Sequence, residues 1–188
     1  LNVRRIDVEG ALHPGVYAKD IILTIIRRLG VNGGNGFAYE YAGDTIHGLS
    51  MDERMTICNM SIEGGARVGY VNPDETTYAF LDGREFAPKG EAFTRAKAWW
   101  RSMASDADAT YDDRVRLSAA EIEPVVTWGV NPAQSVGVSE SLPVPGAFPR
   151  DEQAGVRDAL EFMGFSAGQR VQGVPFDGQP GGLMAPLR

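Results

Sequence analysis

Residues 3–41 read VRRIDVEGALHPGVYAKDIILTIIRRLGVNGGNGFAYEY, and two hydrophobic periods follow one another along them. From Val3 to Glu9 β-branched residues dominate, with Val3, Ile6 and Val8 set against charged neighbours, which predicts a strand stopping at Gly10. Pro14-Gly15 marks a turn. Ala18, Ile21, Ile22, Ile25, Ile26 and Leu29 then recur at helical spacing, the stripe of an amphipathic helix that ends at Gly30 and carries Lys19, Asp20, Arg27 and Arg28 on its polar face. The glycine-dense run from Gly30 to Gly36 leads into a second short strand, Phe37 to Tyr41. Strand, helix, strand in this order predicts an α/β fold.

The pattern continues downstream. Ser50 and Glu53 form a capping box that opens a second helix, whose apolar positions Met51, Met55, Cys58 and Ile62 predict its buried stripe before Gly64-Gly65 ends it. Val68 to Val71 is a strand. Asn72-Pro73-Asp74-Glu75 predicts a helix start with Asn72 as the cap, running to Leu81. A further helix from Glu91 to about Ala104 is expected to bury Phe93, Ala96, Trp100 and Met103, and a strand follows at Arg114 to Leu117. Trp99, Trp100 and Trp128 read as core anchors. Residues 1–124 are expected to form the main domain. Prolines 132, 143, 145 and 149 mark 125–150 as a linker or wrapping segment, and 151–188 begins a further α/β domain with a helix from Asp151 to about Met163 and an atypical glycine- and proline-rich tail.

Composition narrows the function classes. The chain has 188 residues, 25 acidic against 18 basic, a net charge of −7, 43% hydrophobic residues and one cysteine. Basic residues come at most in pairs, so a phosphate-backbone binder is not expected and no nucleic acid partner is assigned. The run Ile21-Ile22-Leu23 is interrupted by Thr24 and then Arg27-Arg28, so no membrane span and no membrane partner are expected. No signal peptide is visible. A lone Cys58 forms no internal disulfide and holds no zinc or iron-sulfur site by itself, which fits a cytoplasmic setting and leaves the chain without an assigned metal ligand. The chain opens at Leu1 without an initiator Met and already in a strand, which suggests an excised or truncated segment.

Few residues carry chemistry on pattern alone. Gly30-Val31-Asn32-Gly33-Gly34-Asn35-Gly36 has the composition of a phosphate loop, but such a loop leaves a strand and enters a helix, and this one does the reverse. A helix C-cap with turn glycines is the better reading. Asn59 and Glu63 stand at i and i+4 and would project from one helical face at the edge of the core. A solvated Glu with a satisfied Asn is the plainer account; a proton-transferring carboxylate beside an orienting amide is the functional one. Cys58 reads as a small buried hydrophobe. His13 and His47 lack matching ligand spacing, and Ser50 is explained as a cap.

Several blocks together resemble a known family, the large subunits of bacterial 3-isopropylmalate dehydratase in the aconitase superfamily. They are Val8-Glu9-Gly10 with Pro14-Gly15-Val16-Tyr17-Ala18-Lys19-Asp20, Glu40-Tyr41-Ala42-Gly43, Leu49-Ser50-Met51, and above all Arg54-Met55-Thr56-Ile57-Cys58-Asn59-Met60-Ser61-Ile62-Glu63. Ala66-Arg67-Val68-Gly69, Pro73-Asp74-Glu75-Thr76-Thr77, Ala87-Pro88-Lys89-Gly90 and Val126-Thr127-Trp128-Gly129-Val130-Asn131-Pro132 continue it, so it runs from about Val3 to Pro175. It implies an aconitase-like three-layer domain with a short mixed sheet and flanking helices. It also implies interconversion of 2-isopropylmalate and 3-isopropylmalate by dehydration and rehydration, in leucine biosynthesis, with a 4Fe-4S cluster in the complete enzyme and a small subunit as partner. The family's cluster-proximal Asn and active-site Glu correspond to Asn59 and Glu63, whereas Cys58 matches a position that is not a cluster ligand. Another hydro-lyase of the superfamily, such as aconitase or homoaconitase, and a non-catalytic remnant or subunit-binding module are the alternatives.

The departures set further expectations. The family's Gly-Asp-Ser-His-Thr segment precedes the part matched here, and its Gly-Ser-Cys-Thr-Asn segment should follow Val174-Pro175-Phe176-Asp177, where this chain continues from Gly178 into Gly-Gln-Pro-Gly-Gly. None of the family's three cluster cysteines is present. The chain alone is therefore expected to bind no cluster and to be inactive, a fragment or disrupted gene product with an unrelated tail from about Gly178, and the missing parts of the large subunit are expected partners alongside the small subunit.

Overall fold

Strand and helix alternate because the apolar residues switch between the two periods, and the computed structural model, which describes residues 1–172, realises that alternation. The first unit comprises Leu1–Pro124 and Asn131–Ala133. It contains β1 (Asn2–Glu9), α1 (Ala18–Leu29), β2 (Phe37–Ala42), α2 (Asp44–Gly48), α3 (Met51–Met60), β3 (Val68–Val71), α4 (Glu75–Leu81), α5 (Glu91–Arg101) and β4 (Asp113–Ser118). Its four strands form one sheet in the order β3-β2-β1-β4. All three pairings are parallel, with Ile6 opposite Tyr41 on one side and Val115 on the other. The expected mixed sheet is thus corrected to a parallel one. Every connection between its strands contains a helix, which returns the chain to the same end of the sheet.

Central β1 explains the imperfect alternation read at Val3 to Glu9. Ile6, Asp7 and Val8 are all buried, as in a strand covered on both faces. The α1 stripe is as expected, with Ile21, Ile22, Ile25 and Ile26 at most 1% exposed. Asp20, however, leaves the expected polar face: it is buried, and its carboxylate accepts the Tyr17 amide at 2.8 Å at the start of the helix. The five-residue α2 had no period to reveal it, being barely more than one turn long.

Three other expectations change. The buried side of α3 carries Arg54 and Ile57, while Met55 is 39% and Ile62 69% exposed, so the stripe Met51, Met55, Cys58, Ile62 is not the core face. Apolar spacing misleads here because a buried arginine with internal partners occupies a core position. The cap of α4 is Asp74, whose carboxylate accepts the Thr77 amide, and not Asn72, whose side chain is committed elsewhere. Helix α5 stops at Arg101 and leaves Met103 and Trp99 exposed; Phe93 is buried, and Trp100 meets it edge-on while stacking with Tyr78.

The second unit takes in Val125–Val130 and continues from Gln134. The antiparallel pair β5 (Val125–Thr127) and β6 (Ser135–Gly137) and the helix α6 (Gln153–Met163) gather a core of Trp128, Val136, Leu142, Val156, Ala159, Leu160 and Val171. The segment 125–150, expected as a linker, is therefore mostly part of a packed unit: three of those core residues come from it, and Pro143, Pro145 and Pro149 sit at or beside a 3-10 turn at Pro145–Ala147, outside both strands. The tail expected from Gly178 lies outside the described residues. No described helix is long and apolar enough to cross a membrane.

Candidate functional site

The candidate site is built at the C-terminal end of α3. The helix begins as the sequence predicts: the Glu53 carboxylate accepts the Ser50 amide at 2.9 Å and the Ser50 hydroxyl accepts the Glu53 amide at 3.4 Å. Four residues on, Arg54 is 2% exposed and every arm of its guanidinium is used. Nε donates to the Leu49 carbonyl, Nη2 to the His47 carbonyl, and Nη1 and Nη2 together grip the Asp74 carboxylate. Burial works against the Asp74 charge, but the hydrogen bonds from Arg54 and Thr77 outweigh it and hold the carboxyl below its ordinary range. The start of α3 is thereby tied to the start of α4. Cys58 is half-buried, and burial pushes its thiol up to about 11 against the opposing pull of Arg54.

The helix ends at Met60 and tightens into a 3-10 turn, Ser61–Gly64. Ser61 is 1% exposed; its hydroxyl lies 2.7 Å from the phenol of Tyr41 on β2 and donates to the Ile57 carbonyl at 3.1 Å. Burial drives the Tyr41 phenol far above its usual range, so it remains a neutral hydrogen-bonding group. Beyond the turn, Gly65 adopts a φ of +84°, its amide donates to the Ile62 carbonyl, and the Ala66 amide donates to the Ser61 carbonyl. The Gly34 amide donates to the Gly64 carbonyl at 2.8 Å. Side chains are excluded from this contact: a Cβ on Gly34 would stand 2.4 Å from the Ala66 nitrogen, and one on Gly69 would stand 2.1 Å from the Ser61 hydroxyl. The glycine run after α1 thus serves the close approach of two backbones.

Asn59 lies in the last turn of α3 and Glu63 in the 3-10 turn, so the end of the helix falls between them and no continuous α-helical face carries both. Both are exposed, which replaces the expected position at a core edge. Among the described residues neither side chain takes a hydrogen-bonding or ionic partner. An uncommitted carboxylate and amide, four residues apart on a braced turn, have the means to exchange a proton and to donate to a ligand oxygen.

Sequence reading missed the residues that brace this turn. Arg54 and Ser61 give no signal in an apolar count, and Tyr41 reads only as a strand aromatic. It also missed Glu40, fully buried on β2, whose carboxylate accepts from Tyr111, Tyr70, Asn72, Arg5 and Ser105. A lone acid between Tyr39 and Tyr41 in a covered strand is the signal that could have found it, since a buried charge demands partners. His13 lies 3.1 Å from the Ala120 carbonyl through Nε2. Among the described residues no group of three His, Cys, Asp or Glu side chains is placed to hold a metal ion. With one cysteine in the whole chain, and that one held as a thiol, the donor set does not fit a 4Fe-4S cluster.

The family model described as Aconitase family (aconitate hydratase) matches residues 1–178. The chain is 59% identical over 177 residues to a 3-isopropylmalate dehydratase large subunit of Picosynechococcus sp., covering 94% of this chain and 38% of that protein. It is 60% identical over 174 residues to the large subunit of Sorangium cellulosum, covering 92% and 37%. With the corresponding protein of Crocosphaera subtropica it shares 56% over 177 residues. The chain therefore spans well under half the length of these relatives, with 94% of its own residues aligned to the first. A parallel α/β unit with the Cys58-to-Glu63 block at the end of α3, matched by the family model along nearly all its length, belongs to the aconitase family.

Proposed function

We propose that the chain supplies one wall of an isopropylmalate isomerase active site, with Glu63 as the proton-transferring group and Asn59 as an orienting donor. The observation that supports this most is the exposed, uncommitted Glu63 carboxylate on a braced turn, in a chain 59% identical to a 3-isopropylmalate dehydratase large subunit. Elimination removes a proton from one carbon of the substrate and hydroxide from its neighbour, leaving an alkene; re-addition with the two positions exchanged gives the isomer. Glu63 takes the carbon proton in one direction and returns it in the other, while the Asn59 amide donates to a substrate oxygen. The complete family enzyme would use a 4Fe-4S cluster as Lewis acid for the hydroxyl, and the single cysteine of this chain does not hold it. Its ligands, the rest of the large subunit and a small subunit belong to this reading as partners, in the cytoplasm, and 2- and 3-isopropylmalate as substrates.

A second reading within the family, hydration of aconitate, is favoured by the family description, Aconitase family (aconitate hydratase). The test places this chain's sequence in a complete large subunit assembled with a small subunit. Glu63→Gln is expected to lower 3-isopropylmalate turnover by roughly 10²-fold, the scale of lost general acid/base help. Unchanged turnover overturns the assignment of Glu63; turnover of aconitate in preference to isopropylmalate transfers it to the second reading. A complete assembly with no hydro-lyase turnover of either kind favours the non-catalytic module.

A further inference from the structure

We propose that Ser61, clamped by Tyr41, is a positioning residue for Glu63 and Asn59, and that Gly34, Gly65 and Gly69 exist in this unit to let that clamp close. The inference rests on the catalytic reading of Glu63 and adds to it the device that holds the carboxylate in place.

The stretch from Asn59 to Glu63 is mostly exposed, yet Ser61 in its middle is 1% exposed. Its hydroxyl donates to the Ile57 carbonyl one turn back, the back-bonding that competes with regular helix continuation, and the chain leaves the α-helix at that residue. The remaining lone pairs face the Tyr41 phenol at 2.7 Å, so the phenol donates and the helix end is pinned to β2. The Ser61 carbonyl accepts from Ala66 and the Gly64 carbonyl from Gly34, closing the turn from both sides. Gly69 on β3 is where the serine hydroxyl fits, because a Cβ there would overlap it. Glu63 thus projects from a turn whose neighbours at positions 61, 64, 65 and 66 are all fixed by hydrogen bonds. A catalytic carboxylate needs this: displacement by about 1 Å is enough to cost about 10²-fold in rate.

The clamp can be removed without stranding either hydroxyl of the pair. Tyr41→Phe combined with Ser61→Ala deletes both, the Ile57 carbonyl alone losing the Ser61 hydroxyl as its donor, and Tm is expected to fall by no more than about 5 °C. Two readouts follow. In this chain, amide hydrogen exchange at Gly34, Gly65 and Ala66 is expected to accelerate at least about tenfold in the double variant while the amides of β1 keep their protection. In the complete assembled enzyme, kcat is expected to fall about 10²-fold with KM changed less than about twofold, and Glu63→Gln on top of the double variant should add little, since both act on one step. If the double variant does not fold, Tyr41→Phe alone gives the same two readouts at smaller amplitude. Unchanged exchange at the three amides overturns the proposal, as does accelerated exchange with unchanged kcat where Glu63→Gln by itself is damaging. Glu63→Gln without effect in the parent enzyme is a different failure: it removes the catalytic reading and the positioning role with it.

Discussion

The guanidinium of Arg54 and the carboxylate of Asp74 meet at two parallel contacts, Nη1 to Oδ1 at 2.7 Å and Nη2 to Oδ2 at 2.8 Å, with the cation 2% and the anion 33% exposed. The asymmetry matters. Water still reaches Asp74, whereas without the carboxylate the buried Arg54 cation keeps only backbone carbonyls as acceptors, Leu49 at Nε and His47 at Nη2. Replacing Asp74 by Asn keeps a capping oxygen for α4 but strands a buried cation, and Asp74→Asn is expected to cost about 2–3 kcal/mol, below the full range for a buried pair because one partner is solvated. Urea unfolding of the two chains measures it.

The same pair fixes an acid dependence. The folded-state pKa of Asp74 lies below its unfolded value, so its contribution is fully present above the ordinary carboxylate pKa of about 3.9 and is lost as pH falls through the lower folded value. The parent chain should therefore lose this increment of stability on acidification below about pH 4. Asp74→Asn should show a flatter profile there, with the two stability curves converging. Parallel curves would mean that the carboxylate carries no linked proton.

Glu40 predicts a different response because it has no water to fall back on. Its carboxylate is fully buried and accepts from two phenols, a hydroxyl, an amide and Arg5. Glu40→Gln preserves volume but removes the charge that Arg5 faces and turns an amino group toward existing donors. A loss of about 3 kcal/mol or more is expected. Tyr70 reports the change directly: burial first, then the Glu40 charge and hydrogen bond, push its phenol up to about 12. In the variant its titration, followed by tyrosinate absorbance, should move down while staying above that of free tyrosine, because the burial remains.

These two ion pairs show where sequence reading stops. The order of strands and helices was legible because Ile21, Ile22, Ile25 and Ile26 repeat at one period and the flanking strands at another, and local capping at Ser50 needs only neighbouring residues. Arg54, Glu40 and Asp20 break the rule that polar means exposed, and each does so through a partner distant along the chain or a turn formed on folding. The parallel order of the sheet was not legible for the same reason, since pairing between β1 and β4 joins residues more than a hundred positions apart. Asn59 and Glu63 were singled out by their spacing and given a role by the resemblance; the spacing suggested a shared helical face, but the helix ends between them, where the Ser61 hydroxyl turns back to the Ile57 carbonyl.

Cys58 gives the last prediction, and it separates a structural thiol from a metal-binding thiolate. The side chain is half-buried beside the core of the first unit, and burial raises its pKa to about 11. A free thiol near 8.5 is a few per cent thiolate at neutral pH; a shift of this size lowers that fraction by roughly 10²-fold. Iodoacetamide should therefore label the native chain about 10²-fold more slowly than a small-molecule thiol at pH 7, and urea should abolish the difference. The same protonation state works against iron: ligation requires the thiolate, and three are needed for a 4Fe-4S cluster with one open iron. Anaerobic reconstitution of this chain alone is expected to return no stoichiometric iron or sulfide. Rapid labelling in the native state would show that the thiol is more open than its packing implies, and stable cluster assembly would show that ligands other than cysteine complete the set.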